Sequence, residues 1–459
     1  MEQALYIKTF GEVHPKFMIE LVAGDAPNGS FNLLLWDGAQ AHIQNSVRLT
    51  PGPGSDSKAR IFEPPDVDST IRRATRFPTH DSPYGSCREL FNDVCALIKK
   101  FTDLSPKLVS VAAYSVFASW FSDFTPVPVC VSIVGLHSYQ RSNLFRLLSC
   151  LYRRPLLLGE ISAAVICSLP MELFPALFLE PCEFSRQLHK VFRASSAQDI
   201  YIPWKGRLIN TCCAKVLCTE ELLDNEGFGH GIIEIPVTPT RQPLPILEKC
   251  VQQEIASEFQ SKLLRFRLTN YNRVRNSNFD IPHFESPVRD LARCLGACVS
   301  EDPKLQEGIT PLLKERNEEL QADLECAQYL NAIVVETMFS FCHEERKQSV
   351  HVGEIASGVN SILKGRGEML ELTAKQVGNK LRAMGLTPKR LDALGRGIQL
   401  LDPIRQRIHR LAWNYRIGSG ILEWDDVRMK CPHCGRIPRE KGGPDPLPGL
   451  SWEKPDDVI

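Results

Sequence analysis

Two stretches of this 459-residue chain place residues at spacings that could do chemistry. In the first, the apolar run VPVCVSIVG (127–135) leads into Gly135-Leu-His-Ser-Tyr-Gln-Arg-Ser142 and then into the helical pattern RSNLFRLLSCLYRR (141–154). A phosphate-binding loop needs a strand, a glycine-rich turn and a helix whose N-terminus faces the anion, with the signature G-x-x-x-x-G-K-S/T. Gly135 and Ser142 stand at the right separation, but Gln140 takes the place of the second glycine and Arg141 that of the lysine. A side chain at the second glycine costs about 1–2 kcal/mol if the backbone there is left-handed. A planar guanidinium keeps the charge without reproducing a compact ammonium.

Such a loop also needs an acidic strand end to hold Mg²⁺ and to polarise water. The candidate is ALFL (176–179), followed by Glu180-Pro181-Cys182-Glu183. Glu180 replaces the metal-side Asp and Pro181 the catalytic Glu. A proline can neither take a proton nor orient water, and Glu183 is off the spacing. In AKVLCT (214–219), Thr219 stands where a polar sensor group would sit. GFGHG (227–231) offers no arginine finger, and Arg241 lies beyond the next strand, GIIEIPV. Gly135, Gln140, Arg141, Ser142, Glu180, Glu183 and Thr219 therefore form a vestigial nucleotide-binding set, with no residue assigned to catalysis. ATP and Mg²⁺ are not expected as working cofactors. Two alternatives stay open: a generic α/β domain without P-loop ancestry, and an active, atypical ATPase using Arg141, Ser142 and Glu180.

The second stretch lies near the C-terminus. VGEIASGVNSILKGRG (352–367) and LTAKQVGNKLRAMG (372–385) read as two helices, the second opened by Thr373 as N-cap. TPKRLDALGRGIQLLD (387–402) reads as a loop and short hairpin, and IRQRIHRLAWNY (404–415) as a last helix. From 351 to 416 there are 12 Lys and Arg against 5 Asp and Glu, a net of +7 in a chain whose total is zero. Helix, turn, helix and a glycine-containing basic wing make a winged-helix pattern, and the charge excess is the footprint of a phosphate-backbone contact. The second helix would enter the major groove. Lys375, Lys380, Arg382, Lys389, Arg390 and Arg396 are the candidate DNA contacts. The alternative is a solvated basic face that meets protein.

A weaker signal is Cys431-Pro-His-Cys434, half of a zinc knuckle. Tetrahedral zinc takes four ligands and no second pair follows. His433 lies between the cysteines and His409 upstream, so a zinc site would need help from elsewhere in the chain or from another chain. Cys342-His343-Glu344-Glu345 lacks the paired histidines of a metalloprotease helix and reads as a polar helix end.

The elements that must position these residues follow from periodicity. Short apolar runs in 1–50 (ALYI, FMIELV, FNLLLW) indicate a small β unit or hairpin. The polar segment 58–82 reads as irregular. Helices are expected over 87–101 and 107–121, and then strands and helices alternate through 127–237, which implies a mainly parallel sheet covered by helices. The expected organisation is a β-rich N-terminal unit (1–50), a linker (51–82), a degenerate P-loop-like α/β domain with N-terminal helices (83–245), a helical bundle (246–346), a winged-helix DNA-binding module (347–417), and a mostly disordered tail carrying the C-x-x-C pair (418–459).

Composition sets the outer bounds. Apolar residues are 43% and charged residues 24%, enough for a substantial core in several domains. Of the 16 cysteines, Cys130, Cys150, Cys167 and Cys298 sit inside apolar runs, as reduced, buried thiols do. MEQALYIKTFGEVHPKF is not a secretory signal. The longest apolar stretches, near 104–121 and 127–135, are broken by Lys107 and serines or too short to span a bilayer. A cytoplasmic, reducing location is expected, with DNA as partner, a protein partner or a second copy as further options, and no membrane.

In layout, VSIVGLHSYQRS, LLLGEIS, FPALFLEPCE, AKVLCTEELL and GIIEIPVTPT, then a helical bundle, then LTAKQVGNKLRAMGL with KRLDALGRGIQL, resemble the helicase-like P-loop (AAA+-like) ATPase region of primase-associated proteins of bacterial viruses and mobile elements. The resemblance spans roughly 125–417 and implies ATP-driven work on DNA during replication. The altered motifs point instead to a DNA-associated scaffold or regulator. The alternatives are an active, atypical replication ATPase or helicase, and a transcription regulator or defence sensor.

Overall fold

The computed structural model describes residues 5–24, 30–49, 59–136, 138–159, 161–180, 185–194, 196, 198–220, 231–239, 243–344, 347–393, 395–417 and 433. The chain divides into two compact units, Met1–Leu320 and Gln321–Ile459.

The first unit opens with two small sheets. Strand β1 (Leu5–Lys8) does not pair with its chain neighbours; it runs parallel to β7 (Arg60–Glu63), which pairs antiparallel with β6 (Val47–Leu49). Strands β2 (Gly11–His14), β3 (Phe17–Ala23), β4 (Phe31–Trp36) and β5 (Ala41–Gln44) form an antiparallel meander. The segment expected to be irregular, 58–82, holds both β7 and helix α1 (Ser69–Ala74). Strand β7 is four residues with a partner far back in the chain, so no local period announces it. Helix α1 is set by Asp68, whose carboxylate accepts from the Thr70 and Ile71 N–H groups.

Helices α2 (Cys87–Phe101) and α3 (Pro106–Ser119) form where the spacing places them. Ser86 and Glu89 build a capping box on α2, and Ser105 caps α3 with Pro106 at its first position. The five-stranded sheet follows: β8 (Cys130–Val134), β9 (Pro155–Leu158), β10 (Ala176–Leu179), β13 (Lys215–Thr219) and β14 (Ile232–Pro236), all parallel, in the order β14-β8-β13-β10-β9. The β11–β12 hairpin (Tyr201–Trp204, Arg207–Asn210) lies outside it. The crossovers carry α4 (Ser138–Leu151), α5 (Ala163–Ile166) and α6 (Arg186–Ala194). The sheet strands are apolar on both faces, as a covered parallel sheet requires. On β10, Phe178 packs with Phe145 and Tyr152, while Leu177 and Leu179 join Ile166, Leu188 and Leu217 in a separate core.

Helices α7 (Lys249–Arg275), α8 (Val288–Cys298), α9 (Pro303–Glu307) and the first part of α10 (Ile309–His343) complete this unit. A buried ionic network ties α7 to the β layer. Glu20 on β3 accepts from Arg153 (3.0 Å), Arg154 (2.8 Å) and Arg267 (2.6 Å), and Asp123 accepts from Arg267 at 2.8 and 2.5 Å. All are buried except Asp123, whose side chain is 14% exposed. Burial alone would raise the Glu20 pKa; the three guanidiniums reverse that and hold it well below the carboxylate range. Burial, with the neighbouring Arg153 charge, pushes Arg154 down to about 9.

In the second unit, residues 330–342 of α10 pack against a compact set of elements. These are β15 (Ser349–His351), α11 (Val352–Gly365), α12 (Ala374–Ala383), β16 (Lys389–Asp392), β17 (Gly395–Gln399) and α13 (Asp402–Asn414), with an antiparallel sheet in the order β15-β17-β16. Thr373 caps α12 in a capping box with Gln376, as its position suggested. No helix among the described residues is long and apolar enough to cross a membrane.

Candidate functional site

Strand β8 is where the order of the parallel sheet reverses. From β8 the chain passes to the far edge at β9 and walks back through β10 to β13, and from β13 it crosses over β8 to β14. In open α/β sheets the crevice at such a point, outside the carboxyl ends of the strands, is where ligands bind. The Gly135–Ser142 segment lies at that edge.

Its conformation is not that of an open cradle. Helix α4 starts at Ser138, so Gln140 and Arg141 lie in its first turn. The left-handed strain that Gln140 would carry in an open phosphate loop does not arise, because the loop that would curl around phosphate is partly wound into helix. Gly135 is held by its neighbours. Its N–H donates to the Thr219 carbonyl (3.1 Å), and a Cβ there would lie 2.4 Å from the Val237 carbonyl oxygen at a φ of +154°. Glycine is thus required by the close approach of the chain after β14.

Arg141 is buried and turned back on the strand ends. Its Nη1 donates to the carbonyls of Gly135 (2.5 Å) and Thr219 (3.3 Å), and Nη2 lies 3.8 Å from the Glu220 carboxylate. The guanidinium therefore satisfies main-chain acceptors at the sheet edge, where a lysine would reach toward phosphate. The Thr219 hydroxyl pairs with Ser132 inside the sheet (3.2 Å), so this residue faces the crevice through its carbonyl. The Gln140 Oε1 is buried without a hydrogen-bond partner and borders a recess of about 10 Å³ lined by Phe101, Thr102, Leu144 and Val237. That is room for about one water, against the several hundred Å³ of a typical ligand pocket.

Ser142 is half-buried in α4. Glu180 is exposed at the end of β10, one strand removed from β8, and its N–H continues the ladder to Leu158 (3.2 Å). Burial pushes the Cys218 thiol beneath this edge up to about 12; Arg141 opposes the rise and Glu180 adds to it. The structure thus brings Gly135, Arg141 and Thr219 into contact, with Glu180 at a neighbouring strand end. Pro181, Glu183 and Arg241 lie outside the described residues. Asn143 went unnoticed in the sequence: its amide donates to the Phe101 carbonyl (2.7 Å) and pins α4 to the end of α2. A polar residue one place past the loop carries no sequence signal for that contact.

In the second unit, Lys375, Arg382, Lys389, Arg390 and Arg396 are exposed. Arg382 is steered by Asn379 (2.7 Å). Arg390 and Arg396 stand directly opposite each other on β16 and β17, and neither makes an ion pair among the described residues. Like charges facing across an antiparallel pair are destabilising. Within β17, Gly397 lies close against β15, where a Cβ would sit 2.3 Å from the Val350 carbonyl oxygen. Lys380 turns inward instead: its Nζ donates to Asn331 (3.2 Å), and partial burial lowers its pKa.

Near the end of α10, His343 and His409 pack edge-on against Phe339, and His433 lies beside His409. Burial pushes His409 down to about 4. Cys431 and Cys434 lie outside the described residues, and no group of three potential metal donors is assembled among the described ones.

No family model matches the chain, and no curated protein matches it. Among solved structures, the apo NrS-1 C-terminal region aligns at 11% identity and a TM-score of 0.32, covering 83% of this chain and 96% of that one. Drosophila ORC bound to DNA aligns at 11% identity and a TM-score of 0.17, covering 79% and 96%. Likeness at these scores carries no argument about what this chain does.

Proposed function

We propose that the chain is a DNA-associated scaffold or regulator, acting in replication or mobile-element biology. In this reading it is built on a P-loop-like domain that does not turn over nucleotide, and residues 347–417 serve as a winged-helix DNA-binding module. The observation that carries the first part is Arg141. Its guanidinium is engaged by the carbonyls of Gly135 and Thr219, at the crevice a triphosphate would need. Binding phosphate there would mean breaking those bonds and unwinding the first turn of α4. For the DNA part, α12 supplies Lys375 and Arg382 toward a groove. The opposed Arg390 and Arg396, with Lys389, take backbone phosphate, which would relieve the like-charge pairing on the hairpin.

The test is a titration of purified full-length chain with labelled ATP and Mg²⁺, together with a phosphate-release assay and duplex binding across a salt series. The expected result is no turnover and non-specific duplex binding that weakens steeply with salt. Phosphate release that disappears in Arg141→Ala would establish an active ATPase instead. One strongly preferred operator would point to a transcription regulator.

A further inference from the structure

A groove of about 770 Å³ opens in the first unit between the end of α1, the adjoining ends of β3 and β4, strand β9 and the first turns of α7. The segment after α1 is tied down on both sides of it. Thr75 bridges to Leu156 of β9, and the Pro78 carbonyl accepts from the Ala23 N–H (2.9 Å). On α7, Lys249, Gln253, Ala256 and Gln260 stand at i, i+4, i+7 and i+11, so one helix face forms a wall.

Four cations line this groove, Arg72, Arg73, Arg76 and Lys249, and no carboxylate does among the described residues. None of the four makes an ion pair among those residues. Arg76 is held by neutral acceptors, Nη1 donating to Cys150 Sγ (2.9 Å) and Nη2 to Gln252 Oε1 (3.1 Å), which fix its direction and leave its charge unanswered. Arg73 Nε donates to the Ser69 carbonyl (3.2 Å). Asp68, at the far end of α1, accepts from the Thr70 and Ile71 N–H groups. Arg72 lies over the Phe31 ring, and its Nε is buried without a hydrogen-bond partner. The hydroxyl of Thr75, a residue 5% exposed, is buried and unpartnered as well. Native proteins rarely leave buried polar groups so, and a cleft lined by one sign of charge concentrates ligands of the other.

Charge alone would suit any anion, but the rest of the lining is apolar. Phe77 packs edge-on to Phe31, and Leu157 is 38% exposed on the edge strand β9. The volume falls in the range of about 300–1,000 Å³ that small organic ligands occupy. A path for single-stranded nucleic acid tracks about 4–16 nucleotides over successive aromatic platforms. Here the charge forms one cluster beside one apolar wall.

We propose that this groove binds a small organic phosphate with at least two negative charges and a flat or apolar body. The anion sits on Arg72, Arg73, Arg76 and Lys249, where guanidinium forks match phosphate oxygens in pairs. The body lies against Phe77 and Leu157. No residue of the Gly135–Ser142 segment lines the groove, so the site stands whether or not that sheet edge handles nucleotide.

The test is calorimetric titration of the full chain, free of divalent metal, with ADP, adenosine, inorganic pyrophosphate and a short oligothymidylate. The expected result is one ADP per chain, no saturable binding of adenosine, and pyrophosphate about tenfold weaker than ADP for want of the apolar body. Arg73→Glu with Lys249→Glu, a reversal of two exposed side chains, should weaken ADP by about tenfold or more. The charge-conserving pair Arg73→Lys with Lys249→Arg, and Arg141→Ala at the sheet edge, should each hold it within about threefold. A wild-type chain with no saturable ADP binding overturns the proposal without reference to any variant's folding. So does ADP binding that survives the charge reversal or disappears in Arg141→Ala. Pyrophosphate as tight as ADP overturns the organic body, and oligothymidylate that displaces ADP at lower concentration makes the groove a single-strand path instead.

Discussion

Replacing Glu20 with Gln should be the most damaging isosteric change in the first unit. Glu20 is 3% exposed and accepts from three guanidiniums, those of Arg153, Arg154 and Arg267. The amide keeps the shape but removes the charge and turns an NH₂ toward donors. Arg153 and Arg267 are then left to Asp123, and Arg154 to the Leu173 and Phe10 carbonyls. Breaking a buried ion pair by removing one partner costs about 3–5 kcal/mol, because the remaining charge stays buried. For a unit of 320 residues, an unfolding entropy of about 2.1 cal/mol/K per residue gives roughly 0.7 kcal/mol per degree, hence a Tm lower by about 5–7 °C.

The pH dependence has a fixed sign. The folded Glu20 pKa is depressed, so its stabilisation is complete above the unfolded value of about 4.3 and is lost as pH falls toward the folded value. In scanning calorimetry, the Tm gap between wild type and Glu20→Gln should be constant from neutral pH down to about 5 and close below about 4. A gap under about 1 °C at pH 7, or one that widens in acid, would refute the view that this network fastens the β layer to α7.

Gly135→Ala should destabilise the first unit by about 1–3 kcal/mol in urea unfolding, since the new methyl meets the Val237 carbonyl at 2.4 Å; an unchanged midpoint would show that the chain after β14 yields freely. Arg390→Ala with Arg396→Ala should reduce the salt slope of duplex binding by about 2, one for each phosphate no longer neutralised, and weaken all sequences alike. Lys380→Ala should change DNA affinity less than twofold, because its ammonium is committed to Asn331; a loss equal to that of the wing arginines would show that the side chain swings out.

The parallel sheet, the capped helices and the basic hairpin were legible because each rests on local pattern. Apolar runs bounded by Gly and Pro mark β8 and β10, Thr373 announces α12, and the glycines around Arg396 mark a tight hairpin. What escaped depends on partners remote in the chain. Strand β7 is four residues that pair with β1, and no window over 58–82 contains that information. Glu20 looks like one polar residue in an apolar strand until Arg153, Arg154 and Arg267 converge on it. The departures at Gln140 and Arg141 were readable as residue types, but their consequence was not. Gln140 would be strained only in a left-handed loop, whereas the start of α4 at Ser138 places it in helix, and Arg141 turns onto the sheet edge. His343 lay in a stretch set aside for lacking one metal-binding pattern, and its nearness to His409 comes from helix packing that no spacing rule encodes.

The placement of arginines separates the roles of the two units. Burying a guanidinium carries a penalty of several kcal/mol that only close acceptors offset. In the first unit Arg141, Arg153, Arg154 and Arg267 are all buried, and each is answered by the protein's own carbonyls or carboxylates. A nucleotide cycle at Gly135 would have to break the Arg141 bonds to the Gly135 and Thr219 carbonyls at each turn, a recurring cost that a lysine on a flexible loop does not incur. In the second unit Arg390 and Arg396 are exposed and stand opposite each other, a like-charge pairing that a nearby anion would relieve. Internal charge in the first unit therefore acts as mortar, and external charge in the second is available to a polyanion. Nucleotide-dependent DNA binding would contradict that division, since it requires the buried set to move.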